Sequence, residues 1–569
     1  MNFLENLQKF REFMNKEGLA FFIVNSTDEY LNEYNSLEKN SRYILSGFTG
    51  STGEMLISSD KAFLFVDGRY HKQADEEVDN NLITVVKLQL NQSQRDGIVD
   101  ILKQNFLKNQ KLGIVSSKTG FQFYTKLKED LSALSVEFVE YTKDPIYDII
   151  PVATEDKSYL LRTLPADISG VSTKEKLNKL AQKLEKTDVL IITKLEEIAY
   201  ITNLRSNQIL FSSSFKAKAV FDRHNLFIFC DTSFINDEIR TFSGENVIFL
   251  PENDFENFIL KNYKDKNLSM GLIPSFINLE TYTCIEETAN TIVNIEESPI
   301  SSMKCIKNDR EIEHISDCFK KSDKVVNKTI KWLNDKIEKN EKISEKDLSD
   351  KVKDFFKKEK AHGLSFEVLL SSAKNTAIVH YTHSNPQKYI KKGELVLLDC
   401  GGYYEGGYAT DITRTFLAGK DAKANNLQKK VYTTVLKAFL NAYNIDIDEN
   451  TTGFDIDKKA RNIIEESKIE GFTFSHGTGH GVGISVHEYP PAISPGELSK
   501  KPVKEGMCFT IEPGLYNDNW GGVRLENTVF LTEINGKLKL KTLSQVPFDE
   551  KLIDFDLLNN DEKKWLAEF

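Results

Sequence analysis

No apolar run in this 569-residue sequence approaches the roughly 18 residues that cross a bilayer as a helix, so no transmembrane span is expected. The opening stretch, MNFLENLQKFREFMNKEG, sets Leu7, Phe10, Phe13 and Met14 at helical spacing among charges. It lacks the unbroken apolar core of a signal peptide. Cysteine is sparse: Cys230, Cys284, Cys305, Cys318, Cys400 and Cys508 are scattered and form no C-x-x-C, which disfavours a disulfide scaffold and fits a reducing compartment. Positive charge is in deficit. The net charge is −11 and no basic block exists, so nucleic acid is excluded as a main partner. What remains, 40% hydrophobic and 28% charged, is the composition of a soluble globular protein long enough for two to four domains; a cytoplasmic location is expected.

The first 300 residues read as a diverged repeat. A short amphipathic helix, NLQKFREFMNKEG, precedes the strand LAFFIV; DEYLNEY, a glycine-bearing segment and the β-rich runs EMLISS and AFLFVDG follow. The second copy opens with a Ser172–Glu175 capping box and runs through VLIIT, LEEIAYITNLR, AKAVF and LFIFCD, so that Asp67 corresponds to Asp231. Two α/β domains of similar fold are expected, 1–150 and 151–304, joined near 145–170. From about 303 the texture changes. REIEHISDCFKKSDKVVNKTIKWLNDKI carries Ile312, Ile315, Phe319, Val326, Ile330, Leu333 and Ile337 on one stripe and predicts a long helix. A second helix follows the Ser344–Asp347 cap, and two more are expected at about 425–443 and 455–467. This third domain, 305–569, is α+β and holds seven of the nine histidines.

Two segments of the third domain resemble each other. KGELVLLDCGGYYEGGYATDITRTF at 392–416 delivers Asp399 and Asp411; EGMCFTIEPGLYNDNWGGVRLENTVF at 505–530 delivers Glu512 and Glu526. A hairpin would bring each pair of acids side by side, and two hairpins about a pseudo-two-fold axis would converge all four. Acids on exposed turns are the ordinary case, but Asp399 ends LVLL and Glu512 follows CFTI. Four buried carboxylates cannot all ionise without cations. Two divalent ions with bridging groups suit such a hard, oxygen-rich set, with manganese, iron or cobalt at least as apt as zinc. Nearby, HGTGHGVGISVH holds His476, His480 and His487. Its glycines argue against a helix, each costing roughly 1 kcal/mol there, so the histidines need not share a helix face as in H-E-x-x-H. One is expected to ligate and the others to serve a substrate.

LLDCGGYYEGGYATDITRTF, HGTGHGVGISVHEYP, TIEPGLY and VRLEN resemble, in order, the metal-site motifs of the pita-bread metallopeptidases, and the chain as a whole resembles the three-domain Xaa-Pro aminopeptidase (aminopeptidase P) family. FTGSTGEMLISSDKAFLFVDGRYHKQA, LEEIAYITNLR, LSFEVLLSSAKNTAIVHY and the tail VPFDEKLIDFDLLNNDEKKWLAEF extend the likeness along nearly the whole chain. The resemblance implies two creatinase-N-like α/β domains and a C-terminal pita-bread catalytic domain with pseudo-two-fold symmetry. It implies a homodimer, and two divalent ions per subunit, manganese first and cobalt, iron or zinc as alternatives. Asp399 would bind one metal, Asp411 and Glu526 would bridge, and His480 and Glu512 would complete the second site. His380, His476 and His487 would line the cleft, with Arg524 and Arg69 as further candidates for the substrate; a turn-stabilising role for Arg69 is the equal alternative. The Asp399–Asp411 hairpin is one residue longer than the family's spacing, which should lengthen only its tip.

The expected reaction is hydrolysis of the bond before a proline in the second position of a peptide. A hydroxide shared by the two metals is the nucleophile, Glu512 the proton shuttle, and His380 or His487 the oxyanion donor. Prolidase and methionine aminopeptidase are the nearest rivals, the first usually with one extra N-terminal domain and the second typically with a short extension. A metal-free peptide-binding module is the other class, but such relatives lose the ligands.

Overall fold

In the N-terminal helix, α1 (Phe3–Glu17), Leu7, Phe10 and Met14 face inward, the Asn2 side chain caps the start, and Gly18, in the left-handed conformation, ends it. The computed structural model describes residues 2–90, 92–106, 108–151 and 159–569. The chain divides into two compact units. One gathers Met1–Thr163, Val171–Leu210 and Ser214–Ile300; the other gathers Leu164–Gly170, Phe211–Ser213 and Ser301–Phe569. Part of the joint expected near 145–170 falls at 152–158, outside the described residues.

The first unit contains two six-stranded sheets. Strands β1 (Phe21–Val24), β2 (Glu54–Ser58), β3 (Ala62–Val66), β4 (Thr84–Lys87), β5 (Lys111–Val115) and β6 (Glu137–Tyr141) lie in the order β4-β3-β2-β1-β5-β6. After helix α2 (Thr173–Lys183), capped by Ser172 and Glu175, come β7 (Val189–Ile192), β8 (Ala217–Phe221), β9 (Leu226–Cys230), β10 (Val247–Pro251), β11 (Ser269–Leu272) and β12 (Thr291–Asn294). Their order, β10-β9-β8-β7-β11-β12, repeats the first sheet strand for strand. The pairings repeat too: antiparallel between the first three strands of each copy, parallel elsewhere. Asp67 and Asp231 each follow the third strand, as the repeat required. One matched element differs. LEEIAYIT forms a helix, whereas DEYLNEY does not: the Asp28 carboxylate accepts from the backbone N–H of Tyr30 and Asn32, and Leu31 has φ 57°. A side chain that bonds the local backbone offers an alternative to the helix.

The second unit holds two helix pairs, each followed by an acid-bearing hairpin. α3 (Asp309–Glu338) and α4 (Glu345–Lys358), both opened by capping boxes, precede β13 (Leu369–Ser372), β14 (Leu395–Cys400) and β15 (Ile412–Leu417), which form one sheet. α5 (Asn426–Tyr443) and α6 (Gly453–Ser467) precede a five-stranded sheet of order β17-β16-β18-β21-β22. Its strands are β16 (Gly479–Gly481), β17 (Glu488–Ile493), β18 (Cys508–Ile511), β21 (Asn527–Ile534) and β22 (Lys537–Thr542); β19 (Gly514–Asn517) and β20 (Gly521–Arg524) make a ribbon beside it. Val325, Leu333, Val352, Val396, Leu398 and Ile412 form one core, and Val431, Phe439, Phe509, Ile511, Val523 and Val529 another. Burial of each such side chain contributes ~1.5–3 kcal/mol. This bipartite build is the α+β pita-bread arrangement. The six cysteines are free thiols.

Candidate metal centre

β14 is buried along its whole length, and Asp399 sits near its end, opposite Thr413 of β15. Asp411 lies two residues before Thr413, and strand alternation turns both acids to one face. In the second hairpin, Ile511 opposes Asn527, a register that sets Glu512 across from Glu526. The hairpins join edge to edge. The backbone N–H of Glu526 donates to the Thr413 carbonyl (3.2 Å), Thr528 Oγ1 to the Asp411 carbonyl (2.9 Å) and Thr415 Oγ1 to the Arg524 carbonyl (2.9 Å). Arg414, fully buried within β15, donates to the Glu526 carbonyl and to Asn527 Oδ1.

The result is one acidic cage. One ligand atom each from Asp411, His480 and Glu526 lies within 4.8 Å of the others. His480 Nε2 is 3.6 Å from Asp411 Oδ2 and 3.5 Å from Glu512 Oε1. His480 reaches the cage from β16, a strand rather than a helix; a Cβ on Gly479 would stand 2.0 Å from the Thr510 carbonyl, so only glycine lets β16 approach β18. The His480 Nδ1 donates to the Gly481 carbonyl (3.1 Å), which fixes the tautomer and leaves Nε2 with a lone pair facing the acids.

Burial pushes the Asp411 carboxyl well above the usual range, and repulsion from Glu526, Asp399 and Glu512 adds to it. Glu526 is raised in the same way, by burial and then by Glu512 and Asp399. Burial raises Asp399 as well, against the pull of Arg524, whose Nη2 donates to Asp399 Oδ2 at 2.7 Å. The other oxygen, Asp399 Oδ1, is buried without a hydrogen-bond partner. Four acids facing one guanidinium, with a buried carboxylate oxygen left over, lack positive charge. Divalent cations fit that deficit, and the hard oxygen donors with one imidazole fit manganese, iron or cobalt.

His487 joins the cage, its ring edge-on to His480 with centroids 4.5 Å apart. His380, half-buried, follows Val379, whose carbonyl accepts from Arg524 Nη1 (3.2 Å). Two of the expected cleft residues are buried and hydrogen-bonded to other side chains. Arg524 is 1% exposed and is spent on protein partners: Asp399, Thr413 Oγ1, the Val379 carbonyl and the Tyr516 hydroxyl. Through these bonds it braces Asp399 and the strand end that carries Thr413. His476, 8% exposed, has Nδ1 2.7 Å from the Gly477 carbonyl and Nε2 2.7 Å from the Tyr516 hydroxyl. The carbonyl can only accept, so Nδ1 holds the proton, Nε2 accepts from Tyr516, and Tyr516 accepts from Arg524 (3.0 Å). His476 thus ends a relay behind Asp399. Arg69, in the first unit, donates through Nε and Nη2 to Asp67. Thr413, whose hydroxyl donates to Glu526 Oε2 at 2.7 Å, and Tyr516 escaped the sequence reading. An arginine inside the buried strand ITRTFL was the one available signal for the bracing layer.

Comparison with known proteins places these residues in a family. The model of metallopeptidase family M24 matches residues 313–533, and models of the creatinase/prolidase N-terminal domain match 6–146 and 154–311. An uncharacterized peptidase of Schizosaccharomyces pombe is 32% identical, covering 99% of this chain and 94% of its own length. A protein of Laccaria bicolor named "Probable Xaa-Pro aminopeptidase P" is 30% identical over 100% of this chain and 89% of its own. The crystal structure of the X-prolyl aminopeptidase of Caenorhabditis elegans, described as a cytosolic enzyme with a di-nuclear active site, superposes with a TM-score of 0.91 at 24% identity, covering 100% of this chain and 95% of that one. The prolidase of Pyrococcus horikoshii matches with a TM-score of 0.53 at 26% identity, over 66% of this chain and 99% of its own. With a relative 30% identical over the whole of this chain and the acid cage in place, the chain belongs to metallopeptidase family M24, among the Xaa-Pro aminopeptidase P proteins.

Proposed function

We propose that this protein removes the first residue from peptides whose second residue is proline, using two divalent ions, manganese first. Asp399, Asp411, His480, Glu512 and Glu526 would hold the ions, which when bound polarise a carbonyl and lower the pKa of water. The convergence of the four acids and His480, with Asp399 Oδ1 left without a donor, carries this reading.

The chain's own groups divide the remaining work. Glu512 is the most open of the acids, its side chain 18% exposed against 6% for Asp411. That position suits a shuttle moving a proton from water to the departing proline nitrogen. His487 and His380 are the candidate donors to the oxyanion, a contact worth about 3 kcal/mol when well placed. Proline has no amide N–H and a fixed φ, so a site that selects it does so by shape. Arg69 is the candidate contact for the peptide beyond the proline, supplied by a second copy of the chain in a homodimer. The cytosolic Caenorhabditis relative supports a cytosolic location.

Hydrolysis of an Xaa-Pro-Xaa tripeptide and an Xaa-Pro dipeptide, each with added Mn²⁺, Co²⁺ or Zn²⁺, tests the reading. The tripeptide should be turned over. Strict preference for the dipeptide would make the protein a prolidase instead.

A further inference from the structure

Glu488, the residue after His487 in HGTGHGVGISVHEYP, has no part in the cage, yet it is one of the most enclosed charges in the protein. Its side chain is 1% exposed; Lys304 Nζ lies 2.8 Å from Oε1 and Lys307 Nζ 2.9 Å from Oε2, and these lysines are 2% and 3% exposed. Burial alone would raise the Glu488 carboxyl, but the two ammonium groups override it and hold it at about 2. Oε1 also accepts the backbone N–H of Ile484 at 2.7 Å. The lysines belong to the segment behind β18: Ile306 bridges Met507, and the Lys307 N–H donates to the Gly506 carbonyl.

Two glycines of the motif are explained by this carboxylate. A Cβ on Gly483 would lie 2.4 Å from the Glu488 carboxyl group, and one on Gly481 2.6 Å from the Glu488 carbonyl. The irregular turn between β16 and β17 is therefore wrapped around Glu488. The Gly483 carbonyl also takes the Ala409 N–H (2.7 Å), tying the turn to the first hairpin. Glu488 opens β17, and His487, the last residue of the turn, meets His480 with its ring, so the anchoring of Glu488 ends the turn next to His487.

We infer that Glu488, clamped by Lys304 and Lys307, is a positioning residue that fixes the 481–487 turn and so sets the His480 and His487 rings against the acid cage. A neutral residue pair would pack this space at less desolvation cost, while a buried ion cluster adds directional bonds that define one geometry. The inference rests on the reading of the cage as a metal centre.

Three variants test it: Gly483→Ala, which crowds the carboxylate without removing a charge; Glu488→Gln; and Lys307→Met, which leaves Glu488 its bonds to Lys304 and Ile484. Each is assayed for cooperative melting, for Mn²⁺ binding to the metal-free protein by calorimetry, and for kcat and KM on the tripeptide. Gly483→Ala and Glu488→Gln are expected to weaken Mn²⁺ binding and lower kcat by about tenfold or more while KM stays within about twofold. Lys307→Met is expected to lower the Tm with a smaller effect on both. Should Glu488→Gln fail to fold, Gly483→Ala decides. A folded Gly483→Ala or Glu488→Gln protein with wild-type kcat and Mn²⁺ affinity overturns the inference. Wild-type protein that binds no Mn²⁺ and leaves the tripeptide intact instead overturns the metal-centre reading beneath it.

Discussion

Asp411 is held among three other acids with His480 as its nearest imidazole, and two measurable consequences follow from that position. Replacing it with asparagine should cut kcat by on the order of 10³, the scale set by losing a charge-stabilising group. The same change relieves repulsion, so the metal-free Asp411→Asn protein should melt above the metal-free wild type; near-normal activity or a lower apo Tm would contradict the bridging role. The pH dependence has a definite sign. Asp411 and Glu526 have folded pKa values raised above the unfolded ~4. Their contribution to stability is complete below that value and is lost as pH rises through the folded values. Metal-free protein should therefore lose stability on going from mildly acidic to neutral pH, and Asp411→Asn should flatten that slope in parallel melting curves. Arg524→Lys is expected to cost ~1–3 kcal/mol and about tenfold in kcat: the charge survives, but one ammonium cannot reach Asp399, Thr413, Val379 and Tyr516 together. Retained activity would remove Arg524 from the bracing layer.

Among elements, the hairpins were legible because apolar runs ending in acids, LVLLD and CFTIE, leave few other arrangements. The repeat in the first unit was legible as strand order, since the period-2 runs and caps recur. DEYLNEY departs from its helical counterpart LEEIAYIT because a local carboxylate–backbone turn wins over helix propensity. The glycines of HGTGHGVG announced a non-helical segment, but not what each one faces, because a close approach depends on a strand or turn distant in sequence. Gly479→Ala, against the Thr510 carbonyl, should destabilise the protein by ~1–3 kcal/mol and weaken metal binding. Gly477→Ala, whose Cβ would meet its nearest neighbours at 3.2 Å, should do less. Equal melting temperatures for the two variants would show that β16 is free to shift.

At the scale of the whole molecule, the division of labour is between a first unit of two like sheets and a second unit that carries the cage. Family and reaction class were readable because the acid-bearing motifs occur in order with both upstream segments. The bracing layer of Arg414, Tyr516 and Thr413 was not, since those residues act through other side chains and carry no motif chemistry of their own. The proposed role of Arg69 involves a second copy of the chain and so belongs at this scale. If it contacts peptide beyond the proline, Arg69→Ala should raise KM for a long Xaa-Pro peptide at least several-fold and leave the stability of the cage unchanged; an unaltered KM assigns it to the Asp67 turn alone. The central claim is that two hairpins converge their acids around a pair of cations. Its most direct test is a titration of metal-free protein with Mn²⁺, followed by calorimetry and tripeptide turnover on the same samples. Two equivalents bound per chain, turnover that appears with them, and loss of both in Asp411→Asn are the expected results. No binding, or equal binding by the Asp411→Asn protein, would contradict the account.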